Sequence, residues 1–290
     1  VHIKVKLDDI DLTPRWHNIT FEFHQHNGRD YTLLAISHWN FHFTLRFTMD
    51  ANYLVAHRGW RQHFPENTLP AIDGALQAGA LNIEIDVQLS ADQVPLLFHD
   101  RTLHRICRQR GEVHQYTAQQ LQQFSAYEPD RFGDKFLGTR ITELNDVIAL
   151  FEKNTQAHLF LEVKEEALHV FGNEAVYRAL QPLIERIRER CTLISFAHTF
   201  LQFAKTQSWP RVGPVLNTWE EIDSPTLAAL QPTVVFCDID QLPRQRDLHS
   251  IPYPLVVYEV PDIDTAEKLR ARGVAKLETF RVGELLKQPQ

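Results

Sequence analysis

The chain has 290 residues, of which 43% are hydrophobic and 23% charged, with a formal net charge of −7. That is globular composition, long enough for one large domain or two small ones, and the negative balance argues against a general nucleic-acid binder, which shows a basic face. Cys107, Cys191 and Cys237 lack CxxC spacing and fit a reducing compartment. With no apolar run near the roughly 18 residues of a membrane helix and no basic patch leading into an apolar core at the start, a cytoplasmic location is expected.

Residues 1–48 stand apart. They hold six of the fifteen histidines and a single alanine, Ala35. After Met49, the only methionine, the chain turns rich in alanine and leucine, as helices require. Two expectations compete: Val1–Thr48 is sequence upstream of a natural start at Met49, or "WNFHFTLRF" (39–47) is an edge strand with "HNGRD" before it as a hairpin turn.

From Met49 onward, short apolar runs alternate with segments of helical period, the signature of β/α architecture. The predicted strands are 53–57, 81–87, 158–164, 192–196, 212–216, 234–238, 255–260 and 274–279. "TLPAIDGALQAGA" opens at a capping-type Asn67/Thr68 with Pro70 in the first turn. "NEAVYRALQPLIERIRER" has helical spacing, with a kink expected at Pro182. Residues 49–290 approach the ~250 residues typical of a (β/α)8 TIM barrel. The competing doubly wound open sheet lacks its signature, since no GxGxxG turn follows any strand. "VPLLFHD" breaks the alternation. It follows the second strand too closely for a helical crossover, so "SADQ" (90–93) is read as a tight turn folding it back antiparallel; a turn centred on Ala91–Asp92 would set Glu84 opposite His99.

In a barrel the reactive residues sit at the C-terminal ends of strands. His57 and Arg58 end the first. Glu84 and Asp86, two apart on the second, share a face, as do Glu162 and Lys164 on the third, and His99 arrives by the hairpin. Three carboxylates converging at one mouth repel one another unless a cation lies between them. All-oxygen ligands suggest a hard divalent ion, Mg²⁺ or Ca²⁺. Arg58 and Lys164 beside it suit an anionic substrate such as a phosphate, and two histidines can divide the proton transfers. For any one of these residues alone the bland reading prevails: a lone carboxylate at a strand end is solvated, a lone histidine a satisfied core residue. The set together favours function, because burying three carboxylates without a cation is costly.

"HRG…PENT", "EIDVQLSADQVPLLFHD" and "LEVK" together resemble the glycerophosphodiester phosphodiesterase family, from about Leu54 to the C-terminus. The resemblance implies a TIM barrel, one divalent metal, and hydrolysis of a small glycerophosphodiester to sn-glycerol 3-phosphate and an alcohol, within glycerophospholipid and glycerol metabolism. It places Glu84, Asp86 and Glu162 as metal ligands, His57 and His99 as acid–base residues, and Arg58 and Lys164 on the phosphate. It also implies attack by the glycerol 2-hydroxyl to give a cyclic phosphate, which water then opens. Three positions depart from the family's pattern: Tyr258 where a Trp is frequent, Phe280 where an Asp or Asn is usual, and His104 where an Asp is common. They leave substrate contacts on the far side of the barrel open.

Asp100 is expected to orient a histidine or cap a turn, and His63, His104, His114 and His198 to lie at the surface or behind the site. Residues 101–140, with helical "TAQQLQQFSAY" inside, form either a small lid over the mouth or a decorated loop. The alternatives to a glycerophosphodiesterase are a lysophospholipase-D-like or sphingomyelinase-D-like enzyme, for which Phe124, Tyr127, Phe132 and Phe136 are the hint of an apolar channel, and a barrel that binds phosphate esters without turnover.

Overall fold

The computed structural model describes residues 19–23, 31–35, 44–46 and 49–286, which fall into two compact units divided after Thr48. In the first, β1 (Ile19–Phe23), β2 (Tyr31–Ala35) and β3 (Thr44–Arg46) form an antiparallel sheet in that order. Phe23 pairs with Tyr31, and Leu33 with Leu45. The "HNGRD" segment and residues 39–43 and 47 of the expected edge strand lie outside the described residues.

The second unit is the barrel. β4 (Leu54–His57), β5 (Asn82–Leu89), β7 (His158–Val163), β8 (Cys191–Ser195), β9 (Val212–Pro214), β10 (Val235–Asp238), β11 (Leu255–Tyr258) and β12 (Lys276–Thr279) run parallel in ring order, with β12 beside β4. Between β9 and β10 the ring is joined by a parallel bridge from Val215 to Phe236 and by the Thr233 N–H to the Val212 carbonyl at 2.9 Å. All eight predicted strands are present, each within two residues of its expected start.

The strands' alternation builds two apolar layers, since neighbouring side chains point to opposite faces. Leu54, Ala56, Ile83, Ile85, Leu159, Leu161, Val257 and Leu277 face outward into the main core with the helices. Val55, Phe160, Ile194, Val215, Phe236 and Val256 face inward and fill the barrel. One inward position further along, the same parity delivers His57, Glu84, Asp86, Glu162, Tyr258 and Glu278 to the barrel's upper end. Placing the site above a packed floor keeps water from reaching it from below.

The helix after β4, α1 (Leu69–Gln77), starts as the sequence requires: the Thr68 side chain accepts from the Ala71 N–H, and Pro70 sits in the first turn. Gly59 in the β4–α1 turn has φ +78°, and a Cβ there would lie 2.6 Å from the Ala71 carbonyl carbon. Only glycine permits both that backbone and that approach.

Two expectations are corrected. β6 (Pro95–Leu97) does return antiparallel on β5, but the register pairs Val87 with Leu97 and Leu89 with Pro95. The turn holds five residues, Ser90–Val94, closed by the Ser90 N–H to the Val94 carbonyl and by Gln93 at φ 60°. Its centre is therefore Asp92, so the register slips by one and Glu84 does not oppose His99. The second correction concerns the long helix Glu165–Ile184: its non-helical residue is Gly172 (φ 78°, ψ 161°), and it runs through Pro182 near its end. A proline there removes one bond in a last turn already short of partners, whereas a left-handed glycine breaks the path outright.

Residues 101–140 carry a small core of their own, in which Leu103, Ile106, Val113, Leu121 and Ile141 pack with Leu96 and Phe98 from the hairpin.

Candidate active site

All seven residues singled out in the sequence meet at the C-terminal end of the barrel. His57, Arg58, His99, Glu162 and Lys164 line one cavity, with Glu278, Ile194, Phe196, Val215, Phe236, Tyr258 and Glu259 on its other walls. Glu84 and Asp86 lie beneath it, each about 1% exposed. Single carboxylate oxygens of Glu84, Asp86 and Glu162 all fall within 4.8 Å of one another.

Two cations thread this acidic cluster. Lys164 Nζ lies 2.7 Å from Glu162 Oε1 and 3.5 Å from Asp86 Oδ1. Arg58 Nε is 3.1 Å from Asp86 Oδ2, an ion pair whose angle is too poor for a hydrogen bond. The Arg58 backbone is left-handed (φ 57°), and its N–H donates to Glu84 Oε2 at 3.0 Å. Burial pushes the Asp86 carboxyl up, but Arg58 and Lys164 outweigh it and hold the group below the ordinary carboxylate range. Glu84 goes the other way: burial, then the charges of Asp86, Glu278 and Glu162, raise it well above its usual value. Burial likewise raises Glu162, against the opposing pull of Lys164. Within this set Glu84 Oε1 is buried with no N–H donor among the described residues, and the Glu278 carboxyl lies at the Glu84 side chain. A cluster of oxygens too costly to ionise together, one of them without an N–H donor, fits a hard divalent cation.

His57 is 7% exposed and stacks on Phe280, with ring centroids 4.5 Å apart and an interplanar angle of 15°. Its Nε2 lies 3.5 Å from Glu278 Oε1 and 3.9 Å from Glu84 Oε2, while its Nδ1 has no partner among the described residues. Burial and then Arg58 lower its pKa well below that of a free imidazole. His99 is differently set: half-buried, its Nδ1 is 2.8 Å from Asp100 Oδ1. Arg105 fixes Asp100 in turn through Nε and one terminal nitrogen.

Behind the cavity lies an ionic web the sequence reading did not identify. Glu66, 2% exposed, receives Arg58, Arg61 and Arg105 at 2.7–3.0 Å. Glu128, from the long connection, accepts from the Glu66 N–H and from Arg131. Asn67 and Glu278 were also missed as site residues. Asn67 was read as a helix cap, yet its side chain holds Asp86. Glu278 was legible by parity, two residues from Lys276 on the inward face of the last strand. Nothing in the sequence could have signalled Glu128, which arrives through a connection with no regular period.

His63 pairs with Glu284 outside the cavity, His114 with Glu112, and His198 with the Val215 carbonyl. Phe124 packs into the small core with Tyr116, and Phe132 and Phe136 cluster with Phe64. None of these aromatic residues lines the cavity.

The family model described as "Glycerophosphoryl diester phosphodiesterase family" matches residues 57–279. The chain belongs to this family. Among curated relatives, a glycerophosphodiester phosphodiesterase of Caldanaerobacter subterraneus is 32% identical over 154 residues, 52% of this chain and 61% of that one. One from Bacillus altitudinis is 30% identical over 177 residues, 60% and 69%. The chain thus spans about three fifths to two thirds of these relatives' length. Among solved structures, an Oleispira antarctica phosphodiesterase in complex with the product sn-glycerol-3-phosphate has a TM-score of 0.69 at 25% identity, covering 80% of this chain and 94% of that one. A structure from Silicibacter pomeroyi has a TM-score of 0.70 at 18% identity, covering 81% and 92%, and bears on the fold. Every residue of the predicted catalytic set falls inside the family match.

Proposed function

We propose that this phosphodiesterase-family chain hydrolyses glycerophosphodiesters to sn-glycerol 3-phosphate and an alcohol, using one divalent ion, Mg²⁺ or Ca²⁺, on Glu84, Asp86 and Glu162. The observation that carries the reading is the convergence of these three carboxylates with Arg58, Lys164 and two histidines at one barrel mouth. When bound, the ion would neutralise charge on a non-bridging phosphate oxygen and make a coordinated hydroxyl more acidic. Arg58 and Lys164 hold the phosphoryl group, the arginine through the terminal nitrogen that its pairs with Asp86 and Glu66 leave and the lysine as a point charge.

His57 and His99 carry the protons. In the first step one imidazole takes the proton of the glycerol 2-hydroxyl as its oxygen bonds to phosphorus. The other gives a proton to the departing alcohol oxygen as its bond to phosphorus breaks. Water then opens the cyclic ester with the roles reversed, so each ring ends as it began. Asp100 fixes the Nδ1 side of His99 and leaves Nε2 to act; Phe280 fixes the plane of His57. A barrel that only bound phosphate esters would have no use for two such rings.

Met49–Gln290 is the hydrolase domain on this reading, and glycerophospholipid or glycerol metabolism its setting. Cys107, Cys191 and Cys237, all buried and unpaired, suit the reducing cytoplasm. No helix among the described residues is long and apolar enough to cross a membrane.

The deciding experiment is release of sn-glycerol 3-phosphate from glycerophosphocholine and glycerophosphoethanolamine in Mg²⁺, in Ca²⁺ and in chelator, with His57→Ala alongside. Metal-dependent release that the variant loses is the expected result. Release undiminished by chelator, or by the variant, would overturn it.

A further inference from the structure

The cavity has two chemically distinct halves. β4, β7 and β12, with the hairpin, supply His57, Arg58, His99, Glu162, Lys164 and Glu278; β8 to β11 and the turns after them supply Ile194, Phe196, Val215, Phe236 and Tyr258. The second half ends in one charged residue, Glu259. Its side chain is exposed and has no hydrogen bond or ion pair among the described residues. Its backbone is left-handed, φ 64°, held there because Tyr258 ends β11 and the Val260 N–H donates to the Glu278 carbonyl at 3.1 Å. A glutamate at such an angle is strained where a glycine would not be. The chain therefore holds, beside Tyr258, a carboxylate without a partner among the described residues, on the same cavity as Arg58 and Lys164.

We infer that this half is the leaving-alcohol subsite and that it selects alcohols bearing an ammonium group. This deepens the diesterase reading above and rests on it. With the phosphoryl group at Arg58 and Lys164, the substrate's remaining parts must extend over the other walls. A glycerol end brings several hydroxyls, and on this half only Tyr258 and Glu259 offer them polar atoms, beside the apolar Ile194, Phe196, Val215 and Phe236. An alkylammonium group suits the same surface, because aromatic faces and a carboxylate both attract a soft cation. An acyl chain is the poorer occupant. The subsite's end beyond Tyr258 is the Glu259 carboxylate, beside which an apolar chain gains nothing and a cation does.

The test compares kcat/KM for sn-glycerol 3-phosphate release from glycerophosphocholine and from glycerophosphoglycerol, whose leaving alcohol is neutral. It uses the full chain in its activating metal, as wild type, Glu259→Gln and Glu259→Gly. The glycine variant relieves the left-handed strain, so a folding defect does not stand in for the missing charge. The wild type is expected to prefer the choline diester at least tenfold, and both variants to bring that ratio within about threefold of one. A wild-type ratio near one, or a ratio that survives both substitutions, overturns the inference; a drop shared equally by both diesters also does, by placing Glu259 on the common glycerol. Saturation-transfer NMR of free choline is the second readout. If no diester is cleaved, the hydrolase reading fails, while choline binding that Glu259→Gly abolishes upholds the subsite and its absence in the wild type overturns it.

Discussion

Asn67 grips Asp86 at both ends. Its Oδ1 accepts from the Asp86 backbone N–H at 3.0 Å, and its Nδ2 donates to Asp86 Oδ2 at 2.7 Å. It does so from a left-handed backbone, φ 56°, between the first strand's turn and the cap of α1. One amide thus fixes the height and rotation of the carboxylate that Arg58 and Lys164 also approach. Partners of this kind, one step behind a metal ligand such as the one proposed at Asp86, are worth about 10–100-fold in activity or metal affinity. Asn67→Ala should cost that much in kcat/KM, and Asn67→Gly, which suits the backbone but makes neither bond, should be no better. Recovery by the glycine variant would show that the turn, and not the clamp, matters.

Phe280 holds the ring of His57 flat from one side, and the Arg61 guanidinium lies 4.2 Å from the Phe280 centroid. With Nδ1 unpartnered among the described residues, this stacking restrains the imidazole's plane, with Tyr258 edge-on to the ring. Phe280→Ala should lower kcat roughly 10–100-fold, since small misplacements of a reacting group carry such costs, with KM changed much less. Phe280→Tyr or Phe280→Trp should keep most of the activity. A KM effect as large as the kcat effect would make Phe280 a substrate contact instead.

Glu66 supports the site from behind with one buried carboxylate shared by three arginines. Burial works against its ionised form, but the hydrogen bonds and charge of Arg105, then Arg58 and Arg61, bring its pKa down to about 2. A folded value below the unfolded one near 4.5 contributes stability that is complete above about pH 4.5 and is lost as pH falls through about 2. The shift corresponds to about 3 kcal/mol. His158 adds to the same trend: burial, then Arg211, Lys276 and Arg190, lower it to about 4, so the folded state resists its protonation as pH drops from about 6.5. Acid-unfolding curves of the wild type should therefore fall in two stages. Glu66→Gln should shrink the lower one, to which Asp86 and Asp100 also contribute, and, by leaving the arginines uncompensated, cost about 3–5 kcal/mol at neutral pH.

The parts of this molecule that were legible in the sequence are those governed by strict periods. Eight strands alternate with helices, and the two-residue period of β5 and β7 puts Glu84 with Asp86 and Glu162 with Lys164 on the inward face. The hairpin was legible as a hairpin, but its register was not. That depended on whether the Ser90 turn held four residues or five, which the left-handed Gln93 decides. Glu66 and Asn67 stand in plain sight in "PENT" and were passed over, because their partners, Arg105 and Asp86, are 39 and 19 residues away in the chain. Hydrogen bonds of that range have no period to announce them. At Pro182 the backbone stays helical, but the α-helix ends two residues later and tightens into a 3₁₀ stretch, while the sharper break, at the left-handed Gly172, lies just ahead of the segment whose spacing is helical.

The carboxylates that favour metal binding should cost the metal-free fold stability, and the two effects can be separated. Glu84 is buried, raised well above its usual pKa by burial and by Asp86, Glu278 and Glu162, and has one oxygen with no N–H donor among the described residues. Neutralising it removes a like-charge contact, so Glu84→Gln should melt in chelator at or above the wild-type temperature. A divalent ion should stabilise the wild type by about 2.7 kcal/mol at a hundred times its Kd, some 5–10 °C for a domain of this size. Glu84→Gln and Glu162→Gln should lose that shift together with activity. Thermal melts of the three proteins in chelator, Mg²⁺ and Ca²⁺ read both effects at once. A variant that lost stability in chelator while keeping its metal-induced shift would make the carboxylate a structural support rather than a ligand. A wild type whose melting no divalent ion moves would leave Lys164 and Arg58 as the cluster's only counterions, and the hydrolysis would then need another source of charge neutralisation at the phosphate.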